Sequence, residues 1–466
     1  MNLENKPIEQ SNLIGTQKLS TPFGQMAIDN TYPTNETMQR IYEVRDIQRA
    51  VELFIWALPI VQFQAWKEGQ AGAFGEGYTI YTTFAENAGI ITSNATTPYI
   101  MGWPNLNETG PMVVDMPGGQ YASAILDWWE YPVCDMGLTG PDKGAGGKYI
   151  IVGPTEDPQK YADQADFVFQ SSTNKLFIGF RVLKAGEQAI LEFTGKIKVY
   201  PLASEPTVPR FAYKLDKEWY GNPPLGLDYF KMLYRAIQGE PVRARDKIFM
   251  SWLHYFGIEN GKSFEPTERQ ALVLAQGANI GELLARANAM EPYFAEPYWE
   301  GTHWYRLIDF PIEQEDEVRY YVDERAAWFY EAVTTTKGMK TETPGSGQIY
   351  LSAKRDQAGE FLKGGEHYKL RIPAKAPFEQ FWSLTPYSEH TRGLIRSGIT
   401  EFIDANRDSR DERLKYNEDG SVDLYFGPDD TKVPADRKAN WMKTNPDEGW
   451  FPYFRLYAPQ PVSYTH

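Results

Sequence analysis

The chain has 466 residues, 42% hydrophobic and 23% charged, a globular balance that excludes a disordered, fibrous or multispanning membrane protein. Its length exceeds one ordinary core and points to two or three domains. The formal charge of −15 makes phosphate backbones poor partners, so no nucleic-acid binding is expected, and the lone Cys134 excludes an intrachain disulfide or a thiolate zinc cluster.

Residues 1–33 read as a polar, aperiodic arm. It lacks the basic head and apolar run of a secretory leader, so the chain as written reads as cytoplasmic, or as periplasmic or secreted if trimmed. A helix should start near Thr34–Thr37, whose side chains accept orphan N–H groups, and continue in pieces to Trp66. Pro59 is expected to kink or end it. The longest apolar run, Leu53–Val61, is far shorter than the roughly 20 residues that cross a bilayer, so no membrane insertion is expected.

From Tyr78 the period shortens. YTIYTTF, PMVVDM, QYASAILDWW, KYIIVG, ADFVFQS and QAILEFTGKIKVYPL are each bounded by turn residues and read as strands of a β-sandwich-like domain spanning, with the helix, 34–205. An α-rich segment follows over 206–344. Phe249, Trp252, Leu253 and Phe256 fall on one helical face before Gly257, and Ile280, Leu283, Leu284 and Ala287 repeat that spacing. ERAAWFYEAV adds a third helix. From 345 to 466 strands return: Tyr368, Leu370 and Ile372 alternate with charges, as do Val422, Leu424 and Phe426 after the turn at Asp419-Gly420. The fold class expected is mainly β with an α-rich middle. The wide stripes and surplus aromatics (Trp252, Phe256, Trp328, Phe329) should dock the helices on the sheets and leave a cleft at the junction.

Chemical motifs are sparse. The five histidines show no metal-ligand spacing, and no cofactor or metal is expected. Gly144, Gly146 and Gly147 precede a strand, not a helix, and read as a loop rather than a phosphate cradle. Asp404, Asn406 and Asp408 alternate like a calcium loop, but Ser409 replaces the turn glycine and Lys415 the closing glutamate, so a solvated loop is the better reading.

Trp, Tyr and Phe make up 14% of the chain, and three doublets stand out: Trp128-Trp129, Phe381-Trp382 and Trp450-Phe451. Neighbours on a strand face opposite ways, so one member of each doublet is free for another face, an interface or a ligand. In FRLYAP, Arg455 leaves the face of Phe454 and Leu456. It is expected to be structural, paired with a carboxylate such as Asp423.

TSNATTPYIMGWPNLNETGPMVVDMPGGQYASAILDWWEYPVCDMG resembles domain of unknown function 1254, and YKLRIPAKAPFEQFWSLTPY, LKYNEDGSVDLYFGPDD and NWMKTNPDEGWFPYFRLYAP resemble domain of unknown function 1214. The resemblance implies two β-sandwich-like domains, the second jelly-roll-like, with helices between, and implies export for many relatives. Its N-terminal motif singles out Asn94, Thr97, Tyr99, Tyr121, Asp127 and Arg181. Trp382 and Tyr387 add C-terminal aromatic candidates. The reading preferred from sequence is a protein that binds a small organic molecule or saccharide in an aromatic-lined interdomain cleft. The alternative is a hydrolase or lyase in which Tyr99, Tyr121, Asp127 and Arg181 supply acid–base groups and anion stabilisation. On either reading Asn94, Tyr99, Tyr121, Asp127 and Arg181 should lie together. A homo-oligomer is compatible with both.

Overall fold

The computed structural model describes residues 13–81, 89–94, 98–183, 187–213, 219–340, 348–395 and 406–460. The expected arm instead carries a small meander, β1 (Gln17–Thr21), β2 (Gly24–Asp29) and β3 (Tyr32–Pro33). Only Ile28 of these strands is fully buried, so there was too little apolar alternation to reveal them.

Helix α1 (Asn35–Phe74) begins where expected, with the Thr37 N–H donating to Thr34 Oγ1 at 3.3 Å. It does not break at Pro59, which lies inside it. A proline deprives the preceding turn of a donor and crowds its carbonyls. The carbonyl left without its helical donor is that of Ile55; its two neighbours are bound from outside the helix, with Tyr229 Oη donating to the Phe54 carbonyl at 2.7 Å and Arg325 Nη2 to that of Trp56. The stretch Leu53–Phe63 is buried on all sides, so it reads as uniformly apolar. Helices Leu227–Ile237, Glu268–Met290 and Val322–Glu331 surround it together with Leu126, Trp128 and Phe177 of the N-terminal domain.

Helix Glu268–Met290 presents a different face from the one its large apolar residues suggest. Ile280 and Leu283 are 47% and 62% exposed, whereas Val273, Leu274, Gly277, Ala278, Gly281 and Ala285 are buried. The packing face is built from small residues because α1 comes very close: a Cβ on Gly277 would lie 2.2 Å from that of Ala50, and one on Gly281 2.6 Å from that of Phe54.

The N-terminal sandwich pairs two sheets. One has the order β13 (Phe211–Tyr213), β4 (Tyr78–Tyr81), β5 (Tyr99–Gly102), β11 (Leu176–Val182), β7 (Tyr121–Asp127), β8 (Pro132–Gly137). The other runs β10 (Phe167–Gln170), β9 (Gly147–Val152), β6 (Met112–Met116), β12 (Lys198–Pro201). Alternation divides their faces: Tyr121, Ile125, Ile178 and Phe180 meet Val114, Tyr149 and Ile151 in a shared core, while Ala122, Ala124, Phe177 and Arg181 point the other way. Two sequence readings need correction. QAILEFT is a helix (Glu187–Thr194), and only KVYP is strand; Ile190 belongs to the sandwich core, with Phe193 packed against it. Trp128 and Trp129 lie in the turn after β7, so strand alternation does not separate them and both enter the helical core.

The C-terminal sandwich pairs β14 (Trp304–Arg306), β15 (Gln348–Ala353), β21 (Trp450–Pro459), β17 (Phe378–Ser388) and β18 (Arg407–Asp408), in that order, with β16 (Tyr368–Ile372), β19 (Val422–Gly427) and β20 (Trp441–Lys443). The larger sheet thus reaches back to residue 304. Leu351, Trp382, Leu384, Trp450, Phe454 and Leu456 fill the sandwich with Ile372, Leu424 and Phe426. On the opposite face Tyr350, Tyr387, Phe451 and Tyr453 pack on Trp328 and Phe329, docking the middle helices on the sheet. Among the described residues no helix is long and apolar enough to cross a membrane.

Candidate functional site

The outward faces of the two large sheets converge on one cavity of about 710 Å³. Strands β5, β7 and β11 form one wall and β15, β17 and β21 the other, with a loop through Val333–Met339 along a side. Strand alternation dictates the chemistry of each wall: the faces turned from the sandwich cores carry Tyr99 and Arg181 on one side and Tyr350, Tyr453, Arg455 and Tyr457 on the other.

Asn94, Tyr99 and Arg181 meet there as the sequence led one to expect. The Asn94 backbone N–H and its Nδ2 donate to Tyr99 Oη at 2.9 and 2.7 Å, and the Arg181 guanidinium lies 5.0 Å from the Tyr99 ring centre. Thr97 lies outside the described residues. Tyr121 and Asp127 do not join them. Tyr121 points into the sandwich core, where its hydroxyl donates to Asp142 Oδ2 at 2.7 Å. Asp127 ends β7 and organises the turn after it, accepting the Trp129 and Tyr131 N–H groups at 2.8 and 3.0 Å and the Ser172 hydroxyl. The expectation of one five-residue site is therefore corrected to three residues.

Of the C-terminal candidates, Trp382 belongs to the sandwich core, and its partner in the doublet, Phe381, lines the cavity instead. Tyr387 sits one layer behind the wall. Its hydroxyl donates to the Ser93 carbonyl at 2.5 Å and accepts from Arg455 Nη2 at 2.8 Å. Burial, opposed by the Arg455 charge, pushes its phenol up to about 12, so it is neutral at ordinary pH.

Arg455 departs from its sequence assignment. It is 3% exposed and lines the cavity, with Nη1 donating to Thr385 Oγ1 and Nη2 to the Thr92 carbonyl, both at 3.2 Å. Asp423, its expected partner, is held by Arg371 across the β16–β19 pair, at 2.7 and 3.0 Å. Asp423 faces away because β19 belongs to the other sheet of the sandwich. Arg455 also joins the domains, since the Thr92 segment that it grips belongs to the N-terminal half. Thr92 further donates its N–H to the Arg392 carbonyl at 2.7 Å and its Oγ1 to that of Glu331 at 2.9 Å.

Sequence reasoning missed several lining residues. Phe381 stacks on Tyr457 with ring centres 3.9 Å apart and planes 15° from parallel, and the Arg410 guanidinium lies 3.6 Å from the Phe381 ring centre. Tyr350 Oη donates to Gln348 Oε1 at 2.9 Å; burial raises its phenol well above the usual range despite the nearby guanidiniums of Arg455 and Arg181. The alternation of Tyr453, Arg455 and Tyr457 against Phe454 and Leu456 was the available signal for this wall. Of the calcium-like residues, Asp404 lies outside the described residues, Asn406 Oδ1 accepts from Thr385 at 3.0 Å, and Asp408 is paired with Arg410.

Residues 78–201 match the model described as protein of unknown function (DUF1254), and residues 347–461 the one described as protein of unknown function (DUF1214). No curated protein matches the chain. The crystal structure of the VPA0106 protein from Vibrio parahaemolyticus shares the fold, with a TM-score of 0.53 and 16% identity over 90% of this chain and 98% of that one. An uncharacterised protein from Burkholderia cenocepacia gives a TM-score of 0.41 and 12% identity over 90% of this chain and 93% of its own.

Proposed function

The chain belongs to the family that carries DUF1254 and DUF1214 in tandem, and we propose that its two domains close on a small organic molecule or saccharide held in the aromatic-lined cleft between them. The observation that carries this reading is the cavity itself: about 710 Å³, walled by both sheets, with Phe177, Phe381, Tyr350 and Tyr457 among its rings. A volume of that size falls within the range of small-molecule sites, and aromatic faces suit flat or ring-shaped ligands. The jelly-roll-like character of the C-terminal sandwich stays part of this proposal.

The enzyme reading draws less support. Its carboxylate, Asp127, is spent on a turn and its Tyr121 on Asp142. Among the described lining residues there is no carboxylate, imidazole, thiol or amine to move a proton at neutral pH.

Ala124 projects from β7 into the cavity, so Ala124→Phe should fill it while leaving the sandwich core untouched. A neutral fluorescent ring compound, N-phenylnaphthylamine, should bind the wild-type chain once and bind Ala124→Phe at least about tenfold more weakly, with cooperative unfolding retained. Equal binding by both chains would remove the cavity from consideration.

A further inference from the structure

The charge on the cavity wall is of one sign. Its described lining residues include Arg181, Arg410 and Arg455 and no Asp or Glu, in a chain whose net charge is −15. The phenols do not redress this, because burial holds Tyr350 and Tyr453 above the usual tyrosine range and keeps them neutral.

The three arginines are not equivalent. Arg410 is half-exposed at the rim and already has a counter-charge, with Nε and Nη2 donating to the two Asp408 oxygens at 3.1 and 3.2 Å. Arg181 lies against the Tyr99 ring. Arg455 is buried, and it donates to a threonine hydroxyl, a backbone carbonyl and a phenol, all neutral. Among the described residues no carboxylate lies within ion-pair distance of it, in contrast to Lys354 just after β15, which is buried against Glu331. Taking a guanidinium out of water without an opposite charge is costly. Arg325 and Arg392 are also buried without an ion-pair partner among the described residues, but neither lines the cavity. A guanidinium has five N–H groups, and these three bonds leave one on Nε and one on Nη1 for a ligand.

We infer that the ligand of this cavity is an organic anion, a carboxylate or sulfonate on a flat unsaturated or aromatic body, whose acidic group pairs with Arg455. The two N–H groups left, on Nε and Nη1, can each donate to an acidic oxygen, and a charge-assisted hydrogen bond shielded from water is stronger than its neutral equivalent. The Phe381–Tyr457 stack offers a face for the body. Arg181 adds charge of the same sign, and Arg410 marks the rim. The ligand would supply the negative charge that the chain withholds, and, because Arg455 also grips Thr92, its acidic group would bind where the two domains are joined. This inference rests on the reading of the cavity as a binding site and narrows its ligand to anions; a neutral sugar does not satisfy it.

Two dyes with the same ring system separate these claims: anilinonaphthalene sulfonate, an anion, and N-phenylnaphthylamine, which is neutral. Fluorescence titration of the full chain should give one site for each. Inorganic sulfate should displace the sulfonate dye and spare the neutral one. Arg455→Met should weaken the sulfonate dye by about tenfold or more and leave the neutral dye within about twofold, and Arg455→Lys should retain part of the preference. If sulfate fails to compete and Arg455→Met affects both dyes alike, the anion inference is overturned while the cavity stands. If neither dye binds the wild-type chain, the binding-site reading falls and this inference with it. The sulfate competition uses unaltered protein, so the test survives a variant that does not fold.

Discussion

Inside the N-terminal sandwich, the buried carboxylate of Asp142 collects four donors: the Tyr121 and Tyr149 hydroxyls at 2.7 and 2.8 Å and the Gly137 and Gly146 N–H groups at 2.7 and 3.2 Å. At the junction, the buried guanidinium of Arg455 meets only neutral oxygens and opens on a cavity. Both groups are charged, enclosed and bonded to tyrosine. The first is saturated by its own chain, and everything it touches is committed to the fold. The second has no opposite charge within ion-pair distance among the described residues and lines the cavity. The number of polar contacts therefore does not mark a site; what sets Arg455 apart is a buried charge without an opposite partner that also lines a cavity.

Asp142→Ala should produce the largest effect. It would strand two phenols and two N–H groups in the core, and about 3–5 kcal/mol of stability should be lost in denaturant titration. The four donors outweigh burial and hold Asp142 below the ordinary carboxylate value. With the folded pKa depressed, its stabilisation is present above the ordinary 3.8 and is lost as pH falls through the folded value. A stability curve for Asp142→Ala that runs parallel to wild type, and below it, above about pH 4 and converges on it as pH falls further would match. A loss under about 1 kcal/mol would erase the contrast between the two regions.

Gly277→Ala tests the close packing around α1. The added methyl would meet Ala50, and about 1–3 kcal/mol should be lost. Leu283→Gln on the exposed side of the same helix should change stability by no more than about 0.5 kcal/mol.

Asp135 offers a smaller, pH-dependent case. It is a buried carboxylate on β8, and burial, partly offset by Lys337, pushes it up to about 6. A raised folded pKa means that the native chain keeps the proton longer than the unfolded chain. Stability is therefore lost as pH rises from the ordinary 3.8 through about 6 and stays lost above that. Asp135→Asn should recover about 1–2 kcal/mol at pH 7 and nothing at pH 3. A variant that is destabilised at both pH values would show that the carboxylate is needed as an ion.

Arg455→Met should have only a small effect on stability, within about 1 kcal/mol of wild type. The Tyr387 hydroxyl keeps the Ser93 carbonyl as its acceptor at 2.5 Å, so that contact with the N-terminal half is retained. A large loss here, comparable to that of Asp142→Ala, would make Arg455 a structural brace.

The strands were legible wherever one face is buried and the other is not. Tyr368–Ile372 and Val422–Gly427 alternate because only one side of each meets the sandwich core. Legibility failed where the deciding partner is remote. Glycine and alanine mark the packing face of Glu268–Met290, and the periodicity of large residues does not report them. Pro59 stays inside α1, in a stretch buried on all sides by packing from distant helices. The site was half visible: the motif around Asn94 led to Tyr99 and Arg181, but Tyr121 and Asp127 carry the same residue types into a core and a turn. For Arg455, alternation gave the correct face, but the sequence could not show that Asp423 lies on the other sheet of the sandwich.

The most direct measurement is a crystal structure of the full chain with anilinonaphthalene sulfonate. Density is expected in the cavity, with the sulfonate within hydrogen-bonding distance of Arg455 and the ring system against the aromatic wall. A dye bound elsewhere, or one in the cavity with its sulfonate turned toward solvent and away from Arg455, would contradict the assignment of that guanidinium to a ligand.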